Sequence, residues 1–221
     1  VETFCAPTDK AAAHFHEWMC GGGLLYLKER APKLGTVFTT HATMLGRSMA
    51  GSGFDIYKQM NQINPKMEAG AYNITAKCSM ETASAREADC FTTVSRITAD
   101  EATVFLGRSP DVVTPNGLDM RVIPDYSAER DVPVGARAKL LGAGRLLRRE
   151  LAPDTRIFII SGRYEYHNKG VDVFLDALAG VNEALRQSQT NVLALCAVMG
   201  GLSGVNPDAV GGDPSKISDQ G

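Results

Sequence analysis

The chain has 221 residues, 44% of them hydrophobic, enough for one large domain or two modest ones with ordinary soluble cores. Its 23 basic and 25 acidic residues leave a formal charge of −2, so there is no general electrostatic pull toward nucleic acid or an anionic membrane, and any phosphate binding must come from a local site. Five scattered cysteines, Cys5, Cys20, Cys78, Cys90 and Cys196, have neither C-x-x-C spacing nor a dense secreted framework, and they fit a reducing cytoplasm.

The longest apolar stretches, such as "NVLALCAVMGG", fall far short of the ~20 residues that a membrane span needs. The N-terminus lacks the basic-then-apolar layout of a signal peptide, so a cytoplasmic protein without a membrane partner is expected. In such a chain the sequon Asn73-Ile74-Thr75 is accidental. The sequence opens at Val1 in mid-pattern, as an excerpt of a longer chain would.

In chain order, "KAAAHF" at 10–15 is a short apolar run ending at His16-Glu17-Trp18, and "GGGLLYLKERA" follows a glycine cluster with helical spacing. "TVFTTH" at 36–41 predicts a buried strand, and a mostly polar helix is expected from about Met67 to Glu87. "DCFTTVS" at 89–95 is a third strand. "ITADEATVFLG" is expected as a capped helix with Asp100 and Glu101 in its first turn, and "DVVTPNG" at 111–117 as a fourth strand. Strands alternating with helices imply a parallel sheet. "FTT" occurs at both 38–40 and 91–93, which reads as two strands ending alike rather than as a repeat.

From about Leu118 to Pro153 the texture changes. "RVIPDYSAERDVPVG" mixes prolines and charge, and "ARAKLLGAGRLLRREL" predicts an amphipathic helix with Leu140, Leu141, Leu146, Leu147 and Leu151 on one side, a crossover between two α/β units. The second unit opens with the strand "RIFIIS" and continues through a helix with Phe174, Leu178, Val181 and Leu185 on its apolar face. The strand "NVLALCAVMGG" comes next, then a Gly, Pro and Asp-rich loop. Two strands and one helix are too few to close a doubly wound domain.

Open parallel sheets bind ligands at the carboxyl ends of their strands, where loops meet helix N-termini that favour anions. The loop "SGRYEYHNKG" at 161–170 lies at such an edge and carries Arg163, His167 and Lys169. Lys169-Gly170 enters the helix, and Arg163 could grip a phosphate bidentately, so the two cations suit one diphosphate; the alternative is a pair of solvated surface charges. His16 ends the first strand and is the acid/base candidate, the alternative being a capping or core histidine. Trp18 could stack on a sugar or fill the core, and the core is the simpler reading. His41 and Arg47 bracket "HATMLGR" and open toward the same edge as His16. Asn116-Gly117 carry turn chemistry and fit a tight turn as well as a ligand contact. There is no G-x-G-x-x-G after a strand, no Walker-type loop, no G-x-S-x-G elbow and no metal-spaced His/Cys cluster, so neither a metal nor a dinucleotide cofactor is expected.

Taken in order, "AHFHEW", "GLLYLK", "VFTTHATMLGR", "CFTTVSRITADEA", "PDVVTPNGLD" and "ISGRYEYHNKGVDVFLDAL" closely resemble the glycogen synthase family of the eukaryotic type, including its bacterial members. The resemblance runs from about Ala13 to Gly201. It implies a GT-B architecture of two Rossmann-like domains with parallel sheets. Residues 1–125 would be the later part of the N-terminal domain, 126–154 a crossover, and 155–221 the beginning of the C-terminal nucleotide-sugar-binding domain.

The resemblance also implies transfer of glucose from a nucleotide diphosphate glucose, UDP-glucose or ADP-glucose, to the non-reducing end of glycogen or another α-1,4-glucan, with retention and without a cofactor. On this basis Arg163 and Lys169 match the family's basic pair on the donor diphosphate, and His16 matches the histidine that lines the glucose site. Oligomeric state is left open, a homo-oligomer included. Two other readings remain at this stage, a non-catalytic glucan- or nucleotide-binding module and another nucleotide-sugar glycosyltransferase.

The departures are specific. The family's glycine-rich donor loop and its E-x7-E pair do not occur within the 221 residues, so the chain is expected to be the middle of a synthase and inactive alone. "YNITAKCSMETASA" stands where relatives carry a Tyr-His-Arg-Tyr-Cys run followed by Glu-Arg, although Cys78 and Glu81 keep the family's spacing.

Overall fold

The computed structural model describes residues 9–122, 132–142 and 150–199. The chain divides into two compact units, with the division between Leu118 and Asp119.

The first unit is built on four parallel strands, β1 (Ala12–His16), β2 (Gly35–Thr40), β3 (Cys90–Thr93) and β4 (Val112–Val113), in the spatial order β1-β2-β3-β4. Helix α1 (Gly21–Arg30) links β1 to β2. Helices α2 (Met44–Gly51), α3 (Ile56–Gln59), α4 (Pro65–Ala71) and α5 (Thr75–Glu87) lie between β2 and β3, and α6 (Arg96–Phe105) between β3 and β4. The two "FTT" tripeptides are register partners, with Phe38 beside Phe91, Thr39 beside Thr92 and Thr40 beside Thr93.

Side chains alternate across a strand, so this register puts both phenylalanines on one face, where their rings stack with centroids 6.0 Å apart and no exposed surface. Leu24 of α1, Ala85 of α5 and Ala102 of α6 pack on them. Burial of each phenylalanine contributes roughly 1.5–3 kcal/mol. A Cβ on Gly21 would lie 2.2 Å from Ser84 Oγ and 2.9 Å from Met80 Cγ, so α1 approaches α5 this closely only with glycine there. A second apolar cluster joins Leu45 and Met49 of α2 to Ile56, Ala69, Ile74 and Phe105.

Several elements differ from the sequence expectation. The helix expected over 67–87 is two helices: α4 starts earlier, at Pro65 behind an Asn64 cap, and Asn73, at φ 55°, breaks the chain before α5. Helix α6 begins at Arg96 with Ser95 as its cap, so Asp100 and Glu101 fall in the second turn. The strand expected over 111–117 is only Val112–Val113, both exposed; Thr114 still donates its N–H to the Thr93 carbonyl, but Pro115 has no N–H with which to continue. Helices α2 and α3 were not anticipated.

The second unit contains α7 (Val132–Leu141), β5 (Arg156–Arg163), α8 (Val171–Gln187) and β6 (Val192–Met199), with β5 and β6 parallel from the pair Arg156/Val192 to the pair Arg163/Met199. The Arg137 guanidinium donates to the carbonyls of Pro153 and Thr155 and so ties α7 to the entry of β5. The helix expected over 136–151 ends at Leu141 as α7; Leu146 and Leu147 lie outside the described residues, and Leu151 is not helical. On α8 the side chains of Phe174, Leu178 and Leu185 are half-buried and Val181 is exposed. The loop expected after Gly201 lies outside the described residues.

Candidate active site

Because all four strands of the first unit are parallel, their carboxyl ends share one edge, and β1 and β2 bring three histidines to it. His16 pairs with Thr39 across the strands, and its Nδ1 lies 3.0 Å from Nε2 of His41, which follows β2 directly. One ring donates and the other accepts, so the pair can bear one positive charge and keep its bond. His14, two residues earlier on the same face, has its ring centroid 4.1 Å from that of His16 and its Nε2 2.6 Å from Thr39 Oγ1. Burial, joined by the charges of His16 and His41, lowers the His14 pKa. The hydroxyls of Thr39 and Thr92 lie 2.5 Å apart, so a polar line runs from His14 across three strands.

The turn after His16 is strained. Glu17 has φ 65° and ψ 161°, a region that glycine alone adopts readily, at a cost of about 1–3 kcal/mol. Two bonds hold it there: its N–H donates to the Thr39 carbonyl, and its Oε1 accepts the N–H of His41, each at 2.9 Å. The residue between His16 and Trp18 therefore fixes the backbone of His41 as well.

The segment "HATMLGR" is also held from beneath by two glutamates that the sequence reading had not assigned to it. Glu81 of α5 is fully buried; its carboxylate accepts from Thr40 Oγ1 at 2.5 Å and from the Met44 N–H at 2.9 Å. Burial pushes the Glu81 carboxyl up to about 7 and Glu17 adds to that, while the bonds from Thr40 and Met44 and the charge of Arg47 pull the other way. Glu101 of α6 accepts from Thr43 Oγ1 at 2.6 Å and from the Tyr57 hydroxyl at 2.8 Å. Burial and this carboxylate push the Tyr57 hydroxyl up to about 12. Arg47 lies half-buried in the first turn of α2. Asn116 and Gly117 are exposed beyond β4, away from this hydrogen-bonded set.

In the second unit Arg163 ends β5, and Lys169 stands just before α8. The two line one cleft of about 410 Å³ with Ser161, Gly162, Ala197 and Met199. The Lys169 stem runs over Gly162, where a Cβ would lie in ordinary van der Waals contact, 3.6 Å from Lys169 Cγ and Cδ. Gly170, at φ 68°, turns the chain into the helix. Arg163 is paired with Glu165 at 2.8 Å, whereas Lys169 forms no ion pair among the described residues. His167 does not line the cleft; its Nδ1 lies 2.7 Å from Asp172 Oδ2 in the first turn of α8, and this bond is the main cause that lowers the Asp172 pKa. Among the described residues no group of three or more His, Cys, Asp or Glu is arranged to hold a metal ion.

The structure thus brings His16 to His41 and Arg163 to Lys169. Glu17, Glu81, Glu101 and His14 join the first set unpredicted. For Glu81 a signal existed, since it keeps its spacing from Cys78 where the surrounding segment departs from the family.

The glycogen synthase family model matches residues 2–202. The glycogen [starch] synthase of Dictyostelium discoideum is 39% identical over 202 residues, covering 87% of this chain and 23% of its own length. The liver glycogen [starch] synthase of Rattus norvegicus is 40% identical over 185 residues, with 81% and 26% covered. Isoform 2 of Saccharomyces cerevisiae is 39% identical over 184 residues, with 80% and 26% covered. The chain spans about a quarter of the length of the curated relatives that it matches. With its match over nearly the whole sequence, the chain belongs to the glycogen synthase family.

Proposed function

We propose that the protein containing this chain is a retaining glycosyltransferase of the cytoplasm that moves glucose from UDP-glucose or ADP-glucose to the non-reducing end of an α-1,4-glucan. The observation that carries this reading furthest is the shared cleft of Arg163 and Lys169 at the carboxyl end of β5 and the entry to α8. Two fixed cations there meet the charge that grows on the departing nucleoside diphosphate as the glycosidic bond breaks. Such charges act more strongly on the transition state than on the ground state, and so they raise kcat. They take the role that a divalent metal fills in other nucleotide-sugar enzymes. His16, with His41 bonded to it, is assigned to the glucose, where an imidazole can donate a hydrogen bond to a sugar hydroxyl. Arg47, Asn116 and Gly117 are further candidates for substrate contact.

The test is glucose transfer to glycogen by the intact protein, with each donor, beside Arg163→Ala and Lys169→Ala and with EDTA present. Elongation that survives EDTA and loses most of its kcat in both variants supports the reading. A wild type that binds glucan but transfers nothing overturns it in favour of a non-catalytic module.

A further inference from the structure

Glu81 is a charged side chain with no exposed surface, and both of its oxygens are committed to the two ends of one short segment. Thr40, which donates to Oε1, is the last residue of β2; Met44, whose N–H donates to Oε2, is the first of α2. Between them lie only His41, Ala42 and Thr43, and Arg47 follows within the first turn of the helix. One carboxylate thus spans the entire link that presents the candidate substrate residues.

The titratable and charged groups that act on it come from three places: Glu17 in the turn after β1, Arg47 on α2, and Cys78 one turn earlier on α5. Burial pushes the Cys78 thiol up to about 11, which leaves it neutral and a poor competitor for the proton. Glu81 and Cys78 also border a cleft of about 980 Å³ among α4, α5 and α6.

We propose that Glu81 is a proton-linked positioning residue for glucose transfer, setting the placement of His41 and Arg47 through Thr40 and Met44. This rests on the synthase reading above. Ionised, the carboxylate accepts both bonds. When it takes a proton from water, its O–H must donate to Thr40 Oγ1, and the Thr40 hydroxyl turns to its other acceptor, the Ala42 carbonyl, now 3.4 Å away. The bond at Met44 then meets a neutral acceptor, the helix start loses its fixed anion, and the backbone on both sides of His41 shifts its bonding partners. Burial that pushes the Glu81 carboxyl up to about 7 puts this exchange within the ordinary working range of pH.

Glutamine is the isostere of the protonated state, since its amide donates to Thr40 while its carbonyl accepts from Met44. The test measures donor KM and kcat of the intact protein from pH 6 to 8.5 for the wild type, Glu81→Gln and Glu81→Asp. Alongside, the Met44 amide is followed by NMR in ¹⁵N-methionine-labelled wild type. The expected result is a wild-type kcat/KM about tenfold lower at pH 6 than at pH 8, the effect of one hydrogen bond to a charged group. Glu81→Gln should sit at the acid value throughout. The Met44 amide should titrate near neutrality. A glutamine variant that keeps the wild-type profile, or a Met44 amide that does not titrate, overturns the proposal. A wild type inactive at every pH overturns the synthase reading instead, while the Met44 titration still decides whether Glu81 drives the loop.

Discussion

His16 Nδ1 and His41 Nε2 share one hydrogen bond at 3.0 Å, although 25 residues separate them, one ending β1 and the other following β2. The bond exists because β1 and β2 are parallel in a register that sets His16 against Thr39, so the residue after Thr40 emerges beside it. Each ring fixes the orientation of the other, and that coupling can be measured. His16→Ala and His41→Ala should each lower kcat for glucose transfer by about 10², the lower end of what a positioned acid/base group contributes. The double variant should be hardly worse than the weaker single one, because both remove the same interaction. Additive losses from a double-mutant cycle would mean that the two histidines act independently.

The tightest backbone position near the site is Gly46. A Cβ there would fall 2.2 Å from Glu101 Oε2 and 2.6 Å from Thr43 Oγ1, inside the bond between those two residues. Gly46→Ala should therefore destabilise the protein by about 1–3 kcal/mol in urea unfolding, as overpacked sites do. Gly70, helical in α4 with nothing within 4 Å of a Cβ, is the control; alanine there should stabilise by about 0.5–1 kcal/mol. Equal midpoints for the two variants would show that the Thr43 and Glu101 pair yields easily.

Two carboxyls shift in opposite directions and so shape stability in different pH windows. Lys28, with the N–H and hydroxyl of Thr36, holds exposed Asp89 at about 2 against an ordinary 3.8, a contribution present above pH 4 and lost as pH falls toward 2. Glu81, pushed from 4.5 up to about 7, works the other way: between those values the folded protein keeps a proton that the unfolded chain has lost, so stability falls as pH rises through the window. At about 1.4 kcal/mol per pKa unit its span is on the order of 3 kcal/mol. Urea midpoints for wild type and Glu81→Gln should differ by an amount that changes between pH 4.5 and 7 and is constant above. A difference that stays flat across that range would mean that Glu81 ionises normally.

The periodicity of the apolar runs made most strands legible, along with α1, α6 and α8, and "FTT" marked two strands that prove to lie side by side in register. The misses share a cause. Sequence patterns treat glutamate as a surface residue, so Glu101 is read only as a first-turn acid of a capped helix, and Glu81 falls within a mostly polar helix with no partner indicated. Both instead point inward at the β2 to α2 link, because Thr40, Thr43 and the Met44 N–H offer donors that no pattern within either helix announces. The Glu17 conformation was equally invisible, since it depends on Thr39 and His41, over 20 residues away. The basic loop was easier to read because Arg163 and Lys169 are close in sequence and flanked by a strong strand and helix.

Of the three residues Arg163, His167 and Lys169 in that loop, His167 stands apart from the cleft, and its bond to Asp172 assigns it to the loop's shape rather than to the phosphate. The Gly170 N–H donates to the His167 carbonyl at 3.0 Å and that of Lys169 to the Glu165 carbonyl at 2.9 Å, so the turn that presents Lys169 is closed on both sides. The side chain of His167 then staples this turn to the start of α8. His167→Ala should loosen Lys169 without removing its charge, lowering kcat about fivefold, a fraction of the loss in Lys169→Ala, because the lysine then meets the departing diphosphate less often in the right place. His167→Asn, which can still donate to Asp172, should restore much of the difference. If His167→Ala instead lowers kcat as steeply as Lys169→Ala, then His167 meets the diphosphate directly and the staple is secondary.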